Sequence, residues 1–259
     1  MNLHQIRQAA RTVLNTQLSI FRPYNICLWH AGRSGSTVLG DLFRQDERIV
    51  WGGEVLESYS KQIEEGKLQS AEWNEVKRRI RKNQMAAGSR IFGFEMKVWH
   101  LRRMGIEPVE MLEFLKGQRY EKHIILERQN YLRIIVSGAV ARETSKFHYG
   151  LDEKPISKKI HINLEEVRFL LQVYDQYYKE LKKLLSDGSL LITYEDDILP
   201  DPVIAYKKIV NSLNLPPKNV DVRYQRTNPK ALKEIVINID EIHQHLKGTQ
   251  YEWMLNIDD

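Results

Sequence analysis

The stretch Ile26-Cys27-Leu28-Trp29-His30-Ala31-Gly32-Arg33-Ser34-Gly35-Ser36-Thr37 sets one cation among glycines and hydroxyls directly after an apolar run. The run reads as a short strand, and Val38-Leu39-Gly40-Asp41-Leu42-Phe43 continues as an amphipathic helix that starts near Ser36 or Thr37. A strand, a small-residue turn and a helix start aim several backbone N–H groups and the positive end of a helix dipole at one point. That arrangement suits a phosphate or a sulfate, with Ser34, Gly35, Ser36 and Thr37 around the anion and Arg33 as a fixed charge beside it. The Gly-x-x-x-x-Gly-Lys-Ser/Thr pattern of nucleoside triphosphatases is absent, and with it the loop lysine and the magnesium-binding hydroxyl. Taken alone, such a turn is more often a plain helix cap, so the rest of the chain has to decide.

The elements that would position this loop alternate along the chain. Strands are expected at Asn25 to His30, Ile49 to Trp51, Ile91 to Val98, Lys122 to Glu127 and Leu190 to Tyr194. Between them lie helical patterns: the first twenty residues (Leu3, Ile6, Ala10, Val13, Leu14), Glu54 to about Lys82, Met111 to Leu115, Leu132 to Ala141, Leu164 to Leu185 and Pro202 to Leu213. This order predicts an α/β fold with a parallel central sheet covered by helices on both faces. No repeat, low-complexity tract or linker appears, so residues 1–259 are expected to form a single domain.

Composition narrows the function classes. At 259 residues, 42% hydrophobic and 28% charged, the chain reads as globular rather than disordered or fibrous. Its 39 Lys and Arg against 34 Asp and Glu give +5, which suits an anionic ligand without indicating nucleic acid. The basic cluster Lys77 to Lys82 reads as a solvated helix face. Cys27 is the only cysteine and is expected to be a buried small hydrophobe, so no intrachain disulfide can form. No apolar run approaches a membrane span and no secretory core is visible, so a cytoplasmic protein is expected. No Cys/His metal-ligand cluster occurs, and no metal is expected.

The loop resembles the 5′-phosphosulfate loop of sulfotransferases that use 3′-phosphoadenosine 5′-phosphosulfate (PAPS), in which Arg or Lys precedes Ser-Gly-Ser/Thr-Thr. Three further stretches resemble that family in the same order. Arg128, at a strand end, and Ser137, in the next helix, resemble its 3′-phosphate motif, and Arg-x-Asn-x-Leu-Arg-x-x-Val-Ser is similar to bacterial carbohydrate sulfotransferases of the trehalose and nodulation-factor type. A forked guanidinium and a hydroxyl converging on one phosphate is sound recognition chemistry, and Arg133 is the alternative ligand. Tyr194-Glu195-Asp196, followed by Asp201-Pro202, resembles the strand end near the adenine. His245 to Trp253, with Gly248 and Thr249, resembles the late loop that closes over the 3′-phosphate. The resemblance implies a P-loop-like three-layer fold, PAPS as co-substrate without metal, and sulfuryl transfer to a hydroxyl of a carbohydrate or glycolipid.

Sulfuryl transfer needs a cation for the departing bridging oxygen and a base for the acceptor hydroxyl. Arg33 suits the first task electrostatically, since a guanidinium does not shuttle protons. For the base, Gly53-Glu54-Val55-Leu56-Glu57 resembles the trehalose-type stretch whose second Glu is the proposed base, which maps to Glu57 with Glu54 beside it. Either would need partial burial to raise its pKa. His100 in Lys97-Val98-Trp99-His100 is the rival, resembling the Lys-x-His of animal cytosolic members with one extra residue. Residues 58–90 and 147–163 are expected to form the acceptor wall, with Tyr59, Trp73, Trp99, Phe147 and Tyr149 available to stack on sugar. Two other readings stand: a metal-dependent nucleotide kinase with Glu195-Asp196 as its magnesium carboxylates, and a non-catalytic nucleotide-binding protein on the same scaffold.

Overall fold

Apolar alternation along one strand generates two cores. The computed structural model describes residues 13–256 apart from positions 157, 187 and 228, so most of the expected N-terminal helix lies outside the described residues; 13–18 are helical. The strands are β1 (Asn25–His30), β2 (Ile49–Trp51), β3 (Ile91–Met96), β4 (Tyr120–Glu127), β5 (Tyr149–Gly150), β6 (Leu190–Thr193) and β7 (Tyr224–Gln225). Five form a wholly parallel sheet in the order β2-β3-β1-β4-β6, and β5 and β7 pair as a small antiparallel ribbon.

β1 is buried along its whole length. Because strand side chains alternate between faces, Cys27 and Trp29 enter one core while Ile26 and Leu28 enter the other. The helices Ser36–Arg44 and Pro202–Ser212 close the second core with Leu39, Leu42, Phe43, Tyr206 and Ile209. Tyr131–Thr144 and Leu164–Leu184 close the first with Leu132, Ile135, Val167, Leu171 and Tyr178. The result is the expected three-layer α/β architecture with helices on both faces.

Three element boundaries differ from expectation. The polar stretch after Glu54 is two helices, Glu57–Glu64 and Trp73–Ala86, broken after the left-handed Gly66. β3 stops at Met96, and a helix, Val98–Arg103, takes up Val98 and His100. β6 stops at Thr193, and Tyr194 opens a wide turn of π geometry through Ile198.

The connection out of β1 runs toward the β2 edge, whereas the one out of β4 runs toward the β6 edge. The adjacent carboxyl ends of β1 and β4 therefore diverge into a crevice, the place where open α/β sheets bind ligands. Trp51 packs its ring onto Gly93 of the neighbouring strand, where an added Cβ would lie 2.6 Å from Trp51 Cε3 and 3.4 Å from Ile26 Cβ. Gly93→Ala should therefore cost about 1–3 kcal/mol through overpacking. Urea unfolding measures this, and an unchanged midpoint would show that β2 and β3 are not packed this tightly.

Candidate active site

The loop leaving β1 owes its shape to three left-handed residues within four positions. Gly32 has φ 91°, Arg33 φ 53° and Gly35 φ 90°. Glycine adopts such values freely, but for Arg33 the left-handed conformation costs on the order of 1–3 kcal/mol. Gly35 is needed twice over, because an added Cβ would stand 2.8 Å from Ile198 and 3.3 Å from the Tyr194 ring. Gly35 is also the N-cap of Ser36–Arg44, and no side chain caps that helix. The first-turn N–H groups thus face the crevice with the positive end of the dipole.

The crevice opens into a cavity of about 640 Å³. Arg33, Gly35, Ser36, Thr37, Arg128, Arg133, Ser137 and Tyr194 line it, so most of the residues proposed for an anion meet there. Arg33 Nε donates to Ser137 Oγ at 3.0 Å, and its Nη1 donates to the Phe147 carbonyl at 3.0 Å. Burial, then repulsion from Arg128, pushes the Arg33 pKa down to about 10, with Tyr194 acting in the opposite direction. Arg128 lies 4.2 Å over the Tyr194 ring and donates to the Arg33 carbonyl at 3.3 Å, which braces the strained residue. Ser34 is fully buried behind the loop and does not line the cavity.

Other expected residues are placed differently. Gly248 and Thr249 lie off the cavity, in a turn where the Gly248 N–H donates to Glu252 and the Thr249 hydroxyl to the Leu246 carbonyl. The segment that reaches over the cavity instead is Tyr224, Gln225, Arg226 and Thr227, carried by the β5–β7 ribbon. Arg133 supports that segment by donating to the Lys230 carbonyl at 2.7 Å. Of residues 58–90 only Lys61 reaches the lining, while Phe147 and Tyr149 do reach it. Trp99 stacks on Tyr177 and Trp73 packs edge-on against Phe114, so both are packing residues. The basic helix Trp73–Ala86 lays Lys77 over Trp73 and Arg81 over Phe114, a solvated face as expected.

The base candidates separate by environment. Glu57 lines the cavity but is 48% exposed and paired with Lys61 at 3.0 Å, contrary to the partial burial expected of it. Glu54 is 22% exposed, accepts from Lys97 Nζ at 2.6 Å and stands 3.8 Å from His100 Nε2. The methylene end of Lys97 abuts the loop, since a Cβ on Gly32 would meet Lys97 Cε at 3.5 Å. His100 does not line the cavity; burial, then the charge of Lys97, lowers its pKa to about 3. It is a neutral neighbour of Glu54 and a weak base.

Three cavity residues were not singled out from sequence. Lys97 follows the alternating run of β3, so its place at a strand's carboxyl end was open to inference. His148, whose Nδ1 lies 3.2 Å from Thr37 Oγ1, and Arg226 had no such signal, because a two-residue ribbon that pairs Tyr149 with Gln225 and Gly150 with Tyr224 leaves no local pattern. The carboxylates that the kinase reading assigns to magnesium are committed locally. Glu195 accepts from the Gln129 and Asn130 N–H groups, Asp196 from the Thr193 hydroxyl, and Asp197 from the Thr193 N–H and Lys208.

No family model matches the sequence, and no curated protein matches it significantly. The fold is similar to that of a solved sulfotransferase from Alicyclobacillus acidocaldarius, at TM-score 0.51 and 12% identity, covering 91% of this chain and 97% of that one. Among the described residues no helix is long and apolar enough to cross a membrane.

His100 titrates near 6.5 when unfolded but only near 3 when folded, so between those values the unfolded chain binds the extra proton. Stability should therefore fall as pH drops from about 6.5 toward 3. Urea midpoints at pH 7 and pH 5 test this: the wild type should lose more than His100→Gln. Equal slopes would mean that His100 is not held neutral.

Proposed function

We propose that this protein is a PAPS-dependent sulfotransferase acting on a hydroxyl acceptor, with a carbohydrate or glycolipid as the acceptor class that the sequence resemblance favours. The observation that carries the reading is Arg33, a half-buried cation in a left-handed loop, facing Arg128 across the diverging ends of β1 and β4. Two guanidiniums beside an uncapped helix start form an anion site that a dianionic nucleotide end would fill. In this reading the 5′-phosphosulfate lies on residues 33–37, and Arg128, Ser137 and Arg226 receive the 3′-phosphate while Tyr194 flanks the adenine. The residues present fit such a donor, and they fit magnesium-dependent phosphoryl transfer poorly, because the loop lacks lysine and Glu195 to Asp197 are already bonded.

The chemistry divides between the two sides of the cavity. Arg33 stabilises charge growing on the bridging oxygen; at an effective dielectric of about 20, a pair of unit charges 4 Å apart interacts by roughly 4 kcal/mol. Glu54 takes the acceptor proton, because it is the less exposed carboxylate and Lys97 fixes it against the loop. Glu57, on the outer rim with Lys61, shapes the approach of the acceptor. Lys97 adds a second positive charge near the transferred group.

3′-Phosphoadenosine 5′-phosphate (PAP) should bind without metal and stabilise the fold by about 2.7 kcal/mol at a hundredfold excess over its Kd. Arg128→Ala should remove about 2 kcal/mol of that affinity. Calorimetry reads both. Absence of binding at millimolar PAP, or stabilisation by Mg-ATP alone, would overturn the donor assignment.

Glu54→Gln should leave PAP affinity intact while lowering turnover by roughly 10²–10⁴. Glu57→Gln should stay within about fivefold of wild type, as for an exposed ion-pair residue. The reverse pattern in steady-state kinetics would return the base to Glu57.

A further inference from the structure

His30 ends β1 with a fully buried side chain that does not line the cavity. Its Nδ1 stands 3.1 Å from the Gly32 nitrogen. A backbone N–H can only donate, so Nδ1 carries no proton and the ring proton sits on Nε2. Nε2 lies 3.2 Å from Glu95 Oε2, so the proton faces that carboxylate, although off the line of an ideal hydrogen bond. The other Glu95 oxygen, Oε1, accepts from Trp51 Nε1 at 3.0 Å and lies against the helix Ser36–Arg44, where a Cβ on Gly40 would come within 3.2 Å of it. Burial favours the neutral acid here, but the favourable interactions with His30, Trp51 and Ser36 outweigh it and hold the carboxyl below its ordinary range, so Glu95 is ionised.

His30, Glu54 and Glu95 bring ligand atoms within 4.8 Å of one another, a spacing that suits a cation. The tautomer speaks against one. The Gly32 bond places a proton on the nitrogen that would have to offer its lone pair, and Glu54 is held by Lys97.

We propose that His30 and Glu95 are positioning residues for the anion loop, with one buried carboxylate fixing the point where it leaves β1. Glu95 sets the His30 tautomer, and His30 Nδ1 holds the Gly32 N–H where the chain first turns left-handed. The start of the loop, next to the strained Arg33, is thereby arranged before any ligand arrives, and binding need not order it. The consequence for affinity rests on the reading of this loop as an anion site; the clamp itself does not.

Asparagine and glutamine at position 30 separate the two halves of the device. His30→Asn places an amide oxygen near the Nδ1 position, keeping an acceptor for Gly32 and losing Glu95. His30→Gln reaches toward Glu95 and leaves the Gly32 N–H without its acceptor. Both remove the ring, so both lose stability alike, and a merely structural role would affect ligand binding equally in the two. Amide hydrogen exchange at Gly32 should quicken in His30→Gln and not in His30→Asn. PAP affinity by calorimetry should fall about tenfold in His30→Gln, the weight of one hydrogen bond, and within threefold in His30→Asn. Unchanged Gly32 exchange in His30→Gln, or equal PAP affinities in the two variants, would overturn the proposal. If wild type fails to bind PAP, the donor reading falls while the exchange data still decide the clamp. Should either variant not fold, Glu95→Gln serves instead. It keeps an oxygen for Trp51 but turns an amide N–H toward the His30 Nε2 proton, and it should likewise speed Gly32 exchange.

Discussion

Arg33 is a cation whose hydrogen-bond partners are neutral, and the arrangement around it follows from that. Ser137 and the Phe147 carbonyl hold the guanidinium in place without cancelling its charge. Burial, and after it Arg128 nearby, raise the cost of keeping it, as the depression of the Arg33 pKa to about 10 records. A folded protein accepts such a concentration of positive charge only if packing elsewhere supports it. Here the support is the fully buried β1, flanked by parallel partners on both sides, which fixes where the loop must leave the sheet. The favourable counterpart is an anion, and the uncapped helix start pointing at the same place adds to the attraction.

Geometry tightens the constraint. Gly35 passes under Ile198 and Tyr194, so the wide turn after β6 and the loop after β1 form one packed unit. Tyr194 then lies beneath Arg128 at 4.2 Å, which ties the end of β4 to the same unit. Three strand ends are thus coupled through one glycine and one aromatic ring. A substitution at any of them would be felt as a displacement of the loop rather than as a local defect.

Much of this was legible in the sequence because it is local. The run Ile26 to Trp29 followed by small residues predicts a strand, a turn and a helix, and β1 and Ser36–Arg44 occupy those positions. Arg128 and Ser137 could be paired in advance since a strand end and the second turn of the following helix are near in both chain and space. Gly248 shows where such reasoning stops. Its motif-like surroundings suggested a covering loop, yet the same glycine simply follows the helix Ile239–Leu246 and turns the chain toward Glu252. The covering segment at 224–227 depends on a ribbon with Tyr149–Gly150, a long-range pairing of two residues that no periodicity can announce. The choice between Glu57 and Glu54 as base turns on the same ground. Exposure is a tertiary property, and neighbouring carboxylates three residues apart in sequence turn to opposite fates once Lys97 claims one of them.

The cavity is consequently polarised along the sheet. Toward β4 and β6 stand Arg128, Tyr194 and the ribbon's Arg226; toward β2 and β3 stand Glu54, Lys97 and His100, with Glu95 beneath. Under the proposed chemistry the donor's anionic ends belong on the first side and the acceptor's proton leaves on the second. Arg33 sits at the boundary, after the central strand, where the transferred group would cross. Lys97 acts twice on the acceptor side: after burial, its charge helps keep His100 neutral, and its ammonium pairs with Glu54. A proton released by the acceptor therefore meets the Glu54 carboxylate beside an imidazole that is too weak a base to compete for it. That asymmetry, set by which groups the strand ends of β2 and β3 bring together, is what gives the proposed transfer a direction for its proton.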